Sequence, residues 1–219
     1  MLKKAGAVLA SLLFLTSIGL GQDGHYEASA SGAAVFTKQS NGNGVTQSAT
    51  EGLDIFGTVG VHFTPRHALI FNYGRAKNSQ VYQAGDNFHQ LATISEYTGA
   101  YVFTPFRKGK FAPFVLAGGG ALAFNPRTTW VFFPELPNNV PNNIQVNLGA
   151  VKQTELAFLY GFGVDYKLPW KFALRMQYRG FLYREPDFHV DSSAGSGVSF
   201  FTGVYGHMAE PSVGLVFRF

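Results

Sequence analysis

From about residue 28 onward the chain alternates between apolar and polar or small residues. The C-terminal segment is the clearest case: Val213, Leu215, Phe217 and Phe219 fall on one face of an extended strand, with Ser212, Gly214, Val216 and Arg218 on the other. Phe172, Leu174, Met176 and Tyr178 alternate with Ala173, Arg175, Gln177 and Arg179, so an apolar face is backed by two guanidinium groups. Leu156, Phe158, Tyr160, Phe162, Val164 and Tyr166 repeat the pattern against Glu155, Ala157, Leu159, Gly161, Gly163 and Asp165. So do Leu53, Ile55, Gly57, Val59, Val61 and Phe63 against Asp54, Phe56, Thr58, Gly60 and His62. Past residue 21 no segment sustains the i, i+3, i+4, i+7 spacing of an amphipathic helix, and none has the apolar length of a transmembrane helix.

Extending this reading gives strands near 28–38, 53–63, 67–75, 91–104, 111–124, 155–166, 172–179 and 212–219. Short turns fall near 64–67, 105–110 and 167–171, and long polar or glycine-rich stretches near 39–50, 76–90, 125–151 and 185–207. Short and long connections alternate strictly, as they do between the periplasmic and extracellular ends of membrane barrels. The expected fold is all-β: a closed, antiparallel, up-and-down transmembrane β-barrel of eight strands. Asn41, Gly42, Asn43 and Gly44 and the run 191–197 are flexible by composition, and 137–143 is rich in Pro and Asn.

Lys3 and Lys4 followed by the uncharged apolar run Ala5 to Leu20 form a signal peptide, with Gly19 and Gly21 placing cleavage before Gln22. The division is then 1–21 as export signal and 22–219 as one barrel domain. The 17 Lys and Arg against 13 Asp and Glu are weak evidence for a nucleic-acid partner, because two of the bases belong to the export signal. Charged residues make up 14% of the chain against about a quarter in soluble domains, which suits a wall solvated by lipid. The absence of cysteine excludes a disulfide scaffold and a thiolate metal site.

Alternation alone does not say which face is inside, since a soluble lipocalin-like barrel alternates as well. The apolar face stays free of charge in strand after strand, and with the signal peptide and the terminal Phe219 this turns that face toward lipid. Asp54, Glu96, Glu155, Asp165, Arg175, Arg179 and Arg218 then point inward. A narrow interior requires such charges to pair, because an unpaired buried ion costs several kcal/mol. The expectation is a salt-bridged plug.

The signal peptide, the eight strands, the alternating connections and the C-terminal strand ending in Phe217, Arg218 and Phe219 together resemble the OmpA and OmpX type of small outer-membrane barrel. The resemblance covers essentially the whole mature chain. It implies residence in the outer membrane among lipid and lipopolysaccharide as a monomer, insertion by the barrel-assembly machinery through Phe217 and Phe219, and no cofactor. The chain ends at the last strand, so the peptidoglycan-binding domain of longer relatives is not expected. The resemblance leaves the role open between a structural or surface-interaction protein acting through its loops, a narrow OmpW-like channel for small or hydrophobic solutes, and a lipid-modifying enzyme.

Candidate chemistry is sparse. His62, His67, His89, His189 and His207 and the serines 192, 193, 196 and 199 do not fall in the spacing of a deacylase's outward His and Ser, so catalysis is not expected. His62 with His67, or His189 with Asp191, offers two ligands where a metal site needs more. Gly118–Gly119–Gly120 lies in mid-strand with no following Lys-Ser or Lys-Thr, so it makes room for curvature rather than cradling phosphate. Trp130, Phe132 and Phe133 place large rings beyond the expected membrane edge, where they fold back onto the rim or extend strands above the membrane, or else contact an unknown surface partner or gate a hydrophobic solute. Tyr97, Tyr101, Tyr160, Tyr166, Trp170, Tyr178 and Tyr183 are expected mostly at strand ends, as an aromatic girdle.

Overall fold

The computed structural model describes residues 25–84, 86–132, 143–190 and 198–219; the segment expected as an export signal, Phe133, Asp191 and the serines 192, 193 and 196 lie outside them. Among the described residues eleven strands are formed: β1 (Tyr26–Thr37), β2 (Ser40–Gly42), β3 (Val45–Ala49), β4 (Gly52–Thr64), β5 (His67–Ala84), β6 (Asp86–Phe103), β7 (Phe111–Phe132), β8 (Asn143–Val146), β9 (Gln153–Lys167), β10 (Phe172–Arg184) and β11 (Tyr205–Arg218). Eight of them, β1, β4, β5, β6, β7, β9, β10 and β11, form a ring in which every neighbour is antiparallel. The first and last strands close it, from Glu27 opposite Arg218 to Thr37 opposite Met208. Closure leaves no barrel strand with an open edge.

The direction of each side chain follows the period of two. On β4, Asp54, Phe56 and Thr58 are buried, whereas Leu53 and Ile55 are 77% and 75% exposed on the outer wall. The outer wall is apolar in the same way on β9, where Leu156, Phe158 and Phe162 are exposed and Ala157 and Leu159 are buried. Across the glycine run of β7, a Cβ on Gly118 or Gly120 would strike the main chain of β6, so close approach of the two strands requires glycine there.

At the loop end the strands run further than the hydrophobic pattern indicates. In the stretch 76–90, expected as a long loop, residues 76–84 continue β5 and residues 86–90 begin β6, paired up to Ala84 opposite Asp86. Polar residues on both faces, Lys77 and Gln83 outward and Asn78 and Gln80 inward, interrupt the apolar alternation there. Likewise β7 continues to Phe132, which places Trp130 and Phe132 on a strand rather than in a loop, paired with His89 and Asn87 of β6 and with Gln145 and Asn143 of β8. The segment 41–44 is ordered: Asn43 (φ 50°) and Gly44 (φ 76°) form a two-residue turn between β2 and β3, the Asn-Gly geometry that matches strand twist. Asn43 Nδ2 donates to the Thr202 carbonyl at 3.2 Å, tying this hairpin to the segment before β11.

Candidate functional site

The inward face of the ring carries three stacked layers. Nearest the short-turn end, Arg175 of β10 lies directly opposite Asp165 of β9. Its Nε and Nη2 donate to Asp165 Oδ1 and Oδ2 at 2.8 and 2.9 Å, and its Nη1 and Nη2 donate to Glu27 Oε1 and Oε2 at 2.9 and 3.2 Å. One guanidinium thus clamps two carboxylates, each at two points, the geometry that favours arginine over lysine. Arg218 reaches Asp165 and lies 3.5 Å from Glu27, while His62 Nε2 is 2.8 Å from Glu27 Oε2. The Phe114 ring lies 4.9 Å from the Arg175 guanidinium.

Four residues further along β10, Arg179 donates from Nη1 and Nη2 to Glu96 Oε1 and Oε2 at 3.1 and 2.9 Å. It also donates to Glu210, its cross-strand partner on β11, and lies 3.5 Å from Asp54. The Phe56 ring lies 3.6 Å from its guanidinium carbon. Glu96 is held from the other side by a chain of hydrogen bonds across three strands: Thr58 to Asn72 (2.8 Å), Asn72 to Thr98 (3.0 Å) and Thr98 to Glu96 (2.5 Å). Oxygens of Asp54, Glu96 and Glu210 lie within 4.8 Å of one another, but Arg179 bonds or faces all three and is itself the cation they surround.

The third layer, toward the loop end, is apolar. Tyr82, Phe124, Tyr183, Phe188 and Phe200 are essentially inaccessible, and Tyr82 stacks on Phe200 at 4.2 Å with the rings 2° from parallel. Tyr82 Oη donates to the Pro186 carbonyl at 2.6 Å, and Gln153 Oε1 accepts from the Asp187 and Phe188 amides at 3.0 and 2.7 Å. These bonds fasten the segment after β10 across the barrel mouth. Phe200 N donates to the Val190 carbonyl at 3.0 Å, bringing the segment before β11 into the same cap.

Of the seven inward charges expected from the sequence, the structure brings six into the two ion-paired layers. Glu155 is the exception: it is half-buried near the loop end, accepts from Gln153 Nε2 at 2.7 Å, and forms no ion pair among the described residues. Two central carboxylates, Glu27 and Glu210, lie outside the alternating pattern. Glu27 precedes the first strand as the alternation defines it, and Glu210 sits before Pro211 in a stretch left outside the last strand; the cross-strand positions of Arg218 and Arg179 were the available signal. Tyr183, expected in the girdle, is buried in the cap, while Trp170 is 91% exposed at the short-turn end. His67 and His207 bond the hydroxyls of Tyr101 and Tyr160, and His89 packs against the Phe132 ring at 4.3 Å. Ser199 Oγ accepts from the Phe201 amide at 3.2 Å.

No protein-family model matches the chain, and no curated protein matches it in sequence. Solved structures do match in shape. Neisserial surface protein A aligns over 90% of this chain and 99% of its own, with a TM-score of 0.51 at 14% identity. The fold is that of a small eight-stranded outer-membrane β-barrel. Ail, the attachment invasion locus protein of Yersinia pestis, aligns over 90% of this chain and all of its own at a TM-score of 0.46 and 11% identity. The N-terminal β-barrel domain of Pseudomonas aeruginosa OprF does so over 90% and 100% at a TM-score of 0.40 and 14% identity. These likenesses are of fold.

Proposed function

We propose that this protein resides in the bacterial outer membrane as a plugged monomeric barrel, and that its role is structural or interactive, exercised at the loop end. One observation carries the reading: the interior is occupied in sequence by the Arg175 layer, the Arg179 layer and the aromatic cap, whose central residues are all buried. In this reading the short turns face the periplasm and the loops face outward. The working surface is then the loop rim, where Ile144, Val151, Phe201 and Tyr205 are exposed and Trp130 and Phe132 are half-buried beside them. Phe217 and Phe219, stacked at 5.5 Å, would engage the assembly machinery during insertion.

Conductance in planar bilayers tests the plug. The folded protein should give no steady openings, and stable unitary currents at neutral pH would sink this reading in favour of a narrow channel. Binding of the protein to intact host cells or purified surface ligands should fall when Phe201 and Tyr205 are replaced by alanine, with heat-modifiable gel mobility unchanged.

A further inference from the structure

Neither plug nor loop rim accounts for one group of charges. Arg75 and Lys77 project outward from β5, and Arg127 from β7, with Thr93 of β6 and Asn125 of β7 between them lining one shallow depression of the outer wall. Lys77 is opposite Thr93, and Thr93 opposite Asn125, so the depression crosses three adjacent strands. All three cations are exposed, and none forms an ion pair among the described residues.

Their height on the wall is informative. Lys77, Thr93 and Asn125 each lie ten residues from the row His67, Phe103 and Val115 near the short-turn end. At about 3.3 Å per residue and a strand tilt of roughly 40°, that is a rise of about 25 Å, the height of the apolar band of such barrels. Between the two rows the outward residues of β5 are Leu69, Phe71 and Tyr73, followed by Arg75 one outward position below Lys77. The cations therefore stand at the upper border of the hydrocarbon, where charge on the lipid face is tolerated and headgroups begin.

A second depression adjoins the first and shares Arg75 and Lys77, but its other walls are mainly apolar: Ala34, Phe36, Leu53 and Ile55, with Gly52 and the carboxylate Glu51 also lining it. A basic recess continuous with an apolar groove is complementary to one kind of molecule, an amphiphile with phosphate on its headgroup and acyl chains below. Arginine binds phosphate at two points and lysine as a point charge. Lys77 and Asn125 are two strand spacings apart, roughly 10 Å, so the cations span more than one phosphate. We propose that the face made by Arg75, Lys77 and Arg127 binds a phosphorylated glycolipid of the outer leaflet, of the lipid A class, through its headgroup phosphates. This rests on the membrane orientation proposed above, but not on the plug.

Native mass spectrometry of the folded full-length barrel, released from micelles containing lipid A with both phosphates, tests it. The variant R75Q/K77Q/R127Q should retain at least tenfold less of that lipid than the parent. R66Q/K108Q/K110Q, which removes three exposed charges at the short-turn end, should retain as much as the parent, and dephosphorylated lipid A should bind parent and both variants alike. Should the outward variant fail to show heat-modifiable mobility, Lys77→Gln and Arg127→Gln alone should each reduce retention about threefold. Equal loss in the two triple variants, no loss in either, or full displacement of the lipid by millimolar inorganic phosphate would overturn the assignment. Conductance bears on the plug alone, so either proposal can fail without the other.

Discussion

Arg179 and Glu96 form a two-point pair across the lumen, at 3.1 and 2.9 Å, between strands separated in the wall by β7 and β9. The same guanidinium bonds Glu210 and faces Asp54, so it is the one cation among the described residues in contact with three buried carboxylates. Arg179→Met would leave those acids buried without it, and should cost about 3–5 kcal/mol. Arg179→Lys keeps the charge, loses the fork and should fall between the two. Urea unfolding in lipid vesicles, followed by tryptophan fluorescence, gives the values; a loss below about 1 kcal/mol for the Met variant would mean that water already solvates the acids.

The clamp at the short-turn end predicts strong coupling between β1 and β10. Glu27 and Arg175 are both buried and meet through two bonds of 2.9 and 3.2 Å. In a double-mutant cycle of Glu27→Gln and Arg175→Gln, the two single changes should each destabilise, and their coupling energy should be about 1–3 kcal/mol. Additive effects would show that Asp165 and Arg218 compensate for either loss.

Much of this architecture is legible in the sequence because lipid-facing walls must be apolar at every second residue, and this fixed the strands, their faces and the inward direction of Arg175, Arg179 and Asp165. The same logic fails where the wall leaves the apolar band. Asn78, Gln80 and Gln90 are buried in strands that look like loops, because hydrogen bonds such as Gln47 with Gln80, and Thr129 to Gln90 at 2.5 Å, replace apolar packing there. The aromatic cap was hidden for another reason: Phe188 and Phe200 come from segments without periodicity, and only closure of the ring brings them onto Tyr82. The outward cations were similarly obscured, since Lys77 and Arg127 fall in stretches expected as loops.

The cap should open as a unit when its central stack is cut. Phe200→Ala removes the ring on Tyr82 and the tilted contact with Phe88 at 5.4 Å. Large-to-small changes of buried phenylalanine cost about 3–5 kcal/mol, which is over a hundredfold in a local opening equilibrium. Hydrogen exchange at the amide of residue 200, bonded to the Val190 carbonyl, should accelerate by that order while the amides pairing β9 with β10 keep their protection. Uniform acceleration throughout the barrel would show instead that cap and wall unfold together.

Glu185, just beyond the end of β10, makes the stability of the loop end depend on pH. Its side chain is buried, with Oε1 accepting from Ser40 Oγ at 3.3 Å and Oε2 without a hydrogen-bond partner among the described residues. Burial pushes the carboxyl from its ordinary 4.5 up to about 8, and the Ser40 bond only partly opposes this. The folded protein therefore holds a proton that the unfolded chain releases above about pH 4.5. Stability from this group is complete below that value, declines as pH rises toward 8, and is lost above it. Between pH 5 and pH 8.5 the decline should be on the order of 2–4 kcal/mol. Glu185→Gln, which cannot ionise, should flatten the dependence and be the more stable form at pH 8.5. Urea unfolding of both proteins across this range provides the measurement, and an unchanged pH slope in the Gln variant would show that Glu185 is solvated and ionised in the folded barrel.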